Sequence, residues 1–401
     1  MENYHEFLQL GYLSQKSKVK NIEFNFYESI NKTEKEDLLN IGFELLNNNV
    51  NEIINNKNVV VPISGGLDSR LLLSSVLENK NAKDVNTLTF GTPGSLDYEI
   101  GNKIAKKIGT KHLAINIEKL NFNIEELYLY GSQITNPVVM FHNLPARSFN
   151  LGNESVVLSG YLGDVISGKR LNEDSENDWQ TEKLNYFTWM TNRHSFNVDN
   201  KKLLNELTEN SFFQSENNLT KKEVIFMKEH NEKLNRHQVL GNINNVKTPF
   251  FNNEFMNFLI SLPKELRLDQ NFYKELIFKK YNSSLNDIAV KNFYGSKFNS
   301  TKVTKLFNRN KNAVFNRLSK KVNFISNPYV NYVDFKLKLY TDEKFKKLIL
   351  NLLNSLKERD IGEYKKECER VIYEINKNKV ANPYDFLLLS SLEIYIRTER
   401  I

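Results

Sequence analysis

The chain has 401 residues, 40% of them hydrophobic, enough apolar material for one large core or two fused domains without staples. A single cysteine, Cys368, excludes an internal disulfide, a multi-cysteine metal site and any relay needing two thiols, and it points to a reducing compartment, so the expected location is cytoplasmic. The net charge of +7 would suit ATP or another anion, but the lysines read as spread along the chain, so no nucleic-acid partner is expected.

Taken in chain order, the N-terminal MENYHEFLQLGYLSQKSK is too polar for a signal peptide. No window approaches a membrane span, and neither a membrane nor a membrane partner is expected. Residues 1–35 read as a short N-terminal segment whose alternation, Ile22-Glu23-Phe24-Asn25-Phe26, predicts a remnant edge strand. A capping signal at Thr33-Glu34-Lys35-Glu36 then begins a helix. From Val59 the pattern runs strand (Val59 to Ile63), helix (Leu72, Leu73, Val76, Leu77), strand (Val85 to Phe90), helix (Ile100, Ile104, Ile108) and strand (His112 to Ile117). Such alternation predicts an α/β fold with a parallel sheet whose ligands gather at the carboxyl ends of the strands.

A further strand, Ser155 to Leu158, brings the loop Ser159-Gly160-Tyr161-Leu162-Gly163-Asp164 to the same rim. The polar, acidic LNEDSEND at 171–178 predicts an exposed excursion. Beyond it the pattern is largely helical, and the final stripe DFLLLSSLEIYI is expected to pack on the core. The expected division is 1–35, a nucleotide-binding domain over 36–300, and a helical C-terminal region over 301–401.

The chemistry resides in Ser64-Gly65-Gly66-Leu67-Asp68-Ser69, placed between a buried strand and an amphipathic helix. Two glycines admit an anion close to the backbone, two hydroxyls donate to it, and the helix N-terminus adds free N–H groups. Asp68 among these donors would repel phosphate, so its presence makes sense with a magnesium ion bridging the phosphates. The hexapeptide resembles that of the N-type ATP-pyrophosphatases, which include asparagine, lysidine, argininosuccinate and GMP synthetases. Thr89-Phe90-Gly91, and Leu158-Ser159-Gly160 followed by Gly163-Asp164, are similar to segments of the asparagine synthetases.

That resemblance implies an adenine nucleotide alpha hydrolase-like core, with ATP and Mg²⁺ as cofactors. It implies ATP and pyrophosphate contacts at Ile63, Ser64, Gly65, Gly66, Leu67, Asp68, Ser69, Phe90, Gly91, Ser159 and Gly160. Asp68 and Asp164 would share the metal, and a lysine steadying pyrophosphate would be Lys291 or Lys297. The implied reaction activates a carboxylate as its adenylate and passes it to ammonia or an amine. Gly163 to Lys169 also fits the Walker A spacing, but Arg170 stands where a Ser or Thr should bind magnesium, and Asp164 sits in a loop meant to be all donors.

The chain departs from the resemblance in several places. It begins Met1-Glu2-Asn3 with no room for a glutaminase domain, so the expected amine is free ammonia, an amine delivered by a separate glutaminase, or the substrate's own amino group, as in β-lactam synthetases and lasso-peptide cyclases. The family's Glu-x-Arg-x-Pro-Phe-Leu-Asp is here Asn245-Val246-Lys247-Thr248-Pro249-Phe250-Phe251-Asn252, which speaks against aspartate as the carboxylate. Val165 replaces a second acid, and Arg70 stands where a small residue is common. His112 reads as structural, and His230 and His237, two helical turns apart, lack a third ligand for a metal. Two other readings stay open: a tRNA-modifying enzyme of the lysidine-synthetase kind, and a non-catalytic nucleotide-binding relative.

Overall fold

The computed structural model describes residues 4–13, 22–27, 30, 33–134, 136–142, 155–171, 177–207, 219–239, 245–251, 253–281, 285–319 and 326–398. One all-parallel sheet has the order β3-β2-β1-β4-β5, from β1 (Asn58–Pro62), β2 (Val85–Gly91), β3 (Lys111–Asn116), β4 (Ser155–Leu158) and β5 (Val246–Lys247). The unbroken Val59-Val60-Val61 suits a central strand packed on both faces. Val59 and Val61 enter the main core, while Val60 meets Leu88 and Val157 on the other side. The chain moves outward from β1 through β2 to β3 and then returns to the opposite side of β1 with β4. The switch point therefore lies beside β1, where open α/β sheets form their ligand crevice. β5 was not foreseen, because two residues carry no readable alternation.

The helix Leu67–Asn79 follows β1 and is buried on every side from Arg70 to Val76. The next, Leu96–Ile108, has a full set of end signals: the Ser95 side chain accepts from Tyr98 N–H, Asp97 and Glu99 sit in the first turn, Lys106 and Lys107 in the last, and Gly109 closes it at φ 83°. The final helix, Pro383–Arg397, is buried from Asp385 to Tyr395, as its apolar stripe led us to expect. Its buried acids are paired, Glu393 with Arg359 and Arg397, and Asp385 with Arg370.

Two expectations fail near the N-terminus. Residues 22–27 form no strand. Their backbone donors go to side chains instead: Ile22 N–H to the Glu232 carboxylate, Asn25 N–H to Asn257 Oδ1 at 3.3 Å, and Tyr27 N–H to Ser261 Oγ at 2.8 Å. The alternation marks an extended segment burying one side, which sequence cannot distinguish from a ladder strand. The helix Lys35–Ile54 also starts without a side-chain cap, so the signal at Thr33 is not used. Ahead of both, the helix Tyr4–Leu10 buries Phe7 against Tyr395, ring centroids 5.6 Å apart.

The residues around His230 and His237 are expected on a helix of ordinary pitch, but the segment is not uniform. It is α over Lys221–Ile225, π over Phe226–Asn235 and α again over Arg236–Val239. The wider π turn changes which residues share a face, so the two-turn spacing of His230 and His237 does not hold. Most of the acidic excursion at 171–178, and Asn252, lie outside the described residues. Among the described residues, no helix is long and apolar enough to cross a membrane.

Candidate active site

The loops after β1, β2 and β4 meet around a cavity of about 430 Å³ lined by Ile63, Ser64, Asp68, Ser69, Phe90, Asp97, Ser159, Gly160, Tyr161, Asp164 and Asn331, among others. Within the first loop the serines bind each other. Ser69 Oγ accepts from Ser64 N–H at 3.1 Å and lies 3.2 Å from Ser64 Oγ, which accepts from Gly66 N–H at 3.2 Å. These hydroxyls shape a tight turn just before the free N–H groups of the Leu67–Asn79 helix, a geometry that favours anions. An adjoining space of about 160 Å³ is lined by Gly66, Leu67, Asp68, Asp97, Asp164, Lys169, Gln270, Lys291 and Asn292.

Asp68 is placed by the glycines of the third loop. A Cβ on Gly163 would lie 2.6 Å from the Asp68 carboxyl, and one on Gly160 would lie 3.1 Å from Asp68 Cβ. Leu162, between them, is held at φ 74°, a conformation costly for a branched residue and characteristic of constrained functional loops. Burial, reinforced by the neighbouring Asp164 charge, pushes the Asp68 carboxyl up to about 7, against the pull of Tyr273 O–H, which donates to Oδ1 at 2.9 Å, and of Lys169. Lys169 Nζ binds Asp164 Oδ2 at 3.0 Å, so this segment carries an acid–base pair and a short helix, Gly163–Ile166, instead of a Walker A cradle.

Two oxygen-donor side chains, Asp68 and Asp164, facing the same cavity fit a magnesium ion, which takes one or two carboxylates and completes its shell with phosphate and water. Among the described residues, no group of three or more His, Cys, Asp or Glu could hold an ion. His230 sits instead among the rings of Tyr186, Trp189 and Phe226, and His112 bridges Thr87 Oγ1 and Asn102 Oδ1, the structural role expected of it.

Of the two lysines, the structure brings Lys291 to the site and leaves Lys297 outside it. Lys291 Nζ pairs with Asp97, and its backbone N–H donates to Gly65 O at 2.8 Å. Lys297 is exposed, 3.4 Å from Asp287. Arg70, whose size was puzzling in the sequence, explains the placement. It is fully buried and donates through Nη1 and Nη2 to the carbonyls of Leu285 and Ala289, each at 2.6 Å, tying the approach to Lys291 onto the phosphate-loop helix.

Gly65 and Gly91 also serve packing. A Cβ on Gly65 would meet Lys291 Cβ at 3.0 Å, and one on Gly91 would overlap Asn331 Oδ1 at 1.9 Å. Asn331 fastens the loop after β2, accepting from Thr92 N–H at 3.1 Å and Ser95 O–H at 2.6 Å and donating to Phe90 O at 3.3 Å. Leu67 is buried and apolar, so only its backbone is suited to a ligand.

Sequence reasoning missed Asn331, Tyr273, Asn231 and Asn235. The last two line the main cavity from the π segment. No local pattern marks them, since each arrives from a distant helix or strap. Tyr161, in the loop after β4, also lines the cavity, and its buried hydroxyl has no hydrogen-bond partner among the described residues.

A parallel sheet with a phosphate cradle and two carboxylates at its switch point defines a nucleotide-binding α/β protein. The chain belongs to the asparagine synthase family, whose model, described as asparagine synthase, matches residues 44–281. This is a family of ATP-dependent, amide-forming synthetases. No curated protein matches the sequence.

Proposed function

We propose that this protein activates a carboxylate with ATP as an acyl-adenylate and transfers the acyl group to ammonia or an amine. The observation that carries the reading is that the Ser64–Ser69 turn lines the main cavity and Lys291 the space adjoining it, with Asp68 and Asp164 lining both. A carboxylate oxygen attacks the α phosphorus and pyrophosphate leaves with the electrons of the broken P–O bond. The amine nitrogen then attacks the acyl carbon, the C–O bond to AMP breaks, and one N–H proton is released.

The Ser64 and Ser69 hydroxyls and the N-terminus of the Leu67–Asn79 helix bind the β and γ phosphates. Lys291, held by Asp97, is the cation placed to meet departing pyrophosphate. Asp68 and Asp164 would hold magnesium, which when bound neutralises phosphate charge. Most of the work is positioning and charge stabilisation. The far wall offers the neutral amides Asn231 and Asn235 and the Tyr161 hydroxyl. With Asn245 and Lys247 replacing the family's Glu and Arg, the carboxylate is read as something other than aspartate. The amine is free ammonia, one delivered by a separate glutaminase, or one on the substrate.

The test is pyrophosphate release from MgATP with ammonium and fractionated small-molecule extract, beside Asp68→Ala. Release confined to particular fractions and lost in the variant is expected. Binding of MgATP with no release from any fraction would sink the small-molecule ligase reading.

A further inference from the structure

The helix Lys302–Ser319 is amphipathic but mounted inside out. The side chains it turns to the protein are polar: Asn308 Nδ2 donates to Ser296 Oγ at 2.8 Å, Asn312 Nδ2 to Tyr294 O at 2.9 Å, and Asn316 Oδ1 accepts from Asn327 Nδ2 at 2.7 Å. Its solvent side carries six apolar side chains interspersed with exposed cations such as Arg309, Lys311 and Arg317. Val303, Leu306, Phe307, Val314, Phe315 and Leu318 are 40 to 77% exposed. An apolar face of this extent, standing alone on a soluble fold, marks a contact surface.

The charge around it is one-sided. Residues 288–333 hold nine Lys and Arg and no Asp or Glu, more than the whole chain's excess of seven. Lysines do occur along the whole chain, but the net positive excess falls in this segment. Lys291 and Lys297 are paired with Asp97 and Asp287, and five of the nine cations lie on the helix itself.

We propose that this helix docks on an anionic lipid surface, lying in the plane of the headgroups with its apolar face inserted. Three features favour that occupant. Side chains this exposed have no groove walls beside them, so a partner helix would find no slot, whereas a bilayer interface needs none. A second copy would set cation against cation. Nucleic acid would use the charge but leave Phe307 and Phe315 in water. Cations beside an inserted apolar face are the pattern that anionic headgroups attract. No membrane partner is legible in the residue order because the outward direction of the apolar face is a tertiary fact. The same helix braces the two segments that bring Lys291 and Asn331 to the pocket, so docking would set the pocket near the lipid surface.

The test is co-sedimentation of the full chain with vesicles of phosphatidylcholine alone or containing roughly a third phosphatidylglycerol. The parent should sediment with the anionic vesicles and be released by salt, and should stay in solution with the neutral ones. Phe307→Ser with Phe315→Ser, and separately Lys311→Gln with Arg317→Gln, should each weaken partitioning by about tenfold or more. Melting temperatures should stay at the parent's value, since the changed side chains are solvent-facing. The proposal is overturned if the parent stays in solution with anionic vesicles or if the serine pair sediments like the parent. It is also overturned if the parent is a dimer that the serine pair dissociates, or if an RNA oligonucleotide displaces the vesicles with an affinity the serine pair leaves unchanged.

Discussion

Lys291 and Lys297 are six positions apart, and nothing local separates them, yet the fold gives them different surroundings. Lys291 is fastened through its backbone to Gly65 and through its ammonium to Asp97, whereas the exposed Lys297 ammonium lies 3.4 Å from Asp287. Lys291→Met should lower the rate of pyrophosphate release by about a hundredfold, the scale of removing one preorganised charge from a developing anion. Lys297→Met should leave it within about twofold, since exposed pairs contribute little. Steady-state kinetics of the two variants decides this. The glycines divide similarly. Gly163→Ala puts a Cβ against the Asp68 carboxyl and should abolish turnover while the chain remains folded. At Gly109 a Cβ meets nothing, but φ is 83°, so Gly109→Ala should cost about 1 kcal/mol of stability and leave activity intact.

At the scale of elements, the π segment Phe226–Asn235 presents Asn231 and Asn235 to the pocket, and it is anchored at its start by Glu223. That carboxylate closes a capping box with Thr220 and also takes Arg267 Nη1 at 2.5 Å, both partners being buried. Glu223→Ala would leave a buried guanidinium without its partner and should cost about 3–5 kcal/mol, whereas Thr220→Ala, losing only the cap, should cost about 1 kcal/mol. Urea unfolding measures both. A Glu223→Ala loss no larger than that of Thr220→Ala would show that the ion pair is not holding this element. The strap around Asn331 joins the C-terminal region to β2 through Asn331 Nδ2 to Phe90 O at 3.3 Å and to the following helix through Leu96 N–H to Pro328 O at 2.8 Å, so the region beyond the family match completes the pocket wall.

At the scale of the molecule, pH couples to stability through buried histidines. Burial pushes the imidazoles of His230 and His237 down, to about 3 and about 4, with Arg193 and Arg236 respectively adding to the effect. Both are neutral in the fold and take up protons near the ordinary value once unfolded. Their contribution is complete at neutral pH and is lost as pH falls from about 6.5 toward 4, by up to about 1.4 kcal/mol per pH unit for each. Asp68 opposes this in the nucleotide-free protein, because its raised carboxyl takes a proton in the fold first. Urea unfolding of Asp68→Asn between pH 7 and 4.5 should therefore fall more steeply than the parent. Adding His237→Gln should make the slope shallower, and an unchanged slope would show that His237 is not buried neutral.

The order strand, phosphate turn, helix was legible at Val59–Val76 because each signal is local: a β-branched run, a glycine pair with hydroxyls, and a 3.6-residue stripe. The four longer strands, the helix after Ser95 and the acidic pair Asp68 and Asp164 were legible for the same reason. The remainder depended on where distant segments cross. Arg70 became intelligible only beside the carbonyls of Leu285 and Ala289, Gly91 only beside Asn331, and residues 22–27 only beside acceptors on other helices. Helical periodicity identified amphipathic faces but not their direction, since a stripe has the same period whether it meets a core or solvent. By itself the sequence determined the strand, glycine turn and helix around Ser64–Ser69 and, through its resemblance, the family, because those signals are written in adjacent residues. Only the tertiary structure decided which lysine and which amides line the cavities and which way a helix face points, because those arrangements depend on packing between residues far apart in the chain.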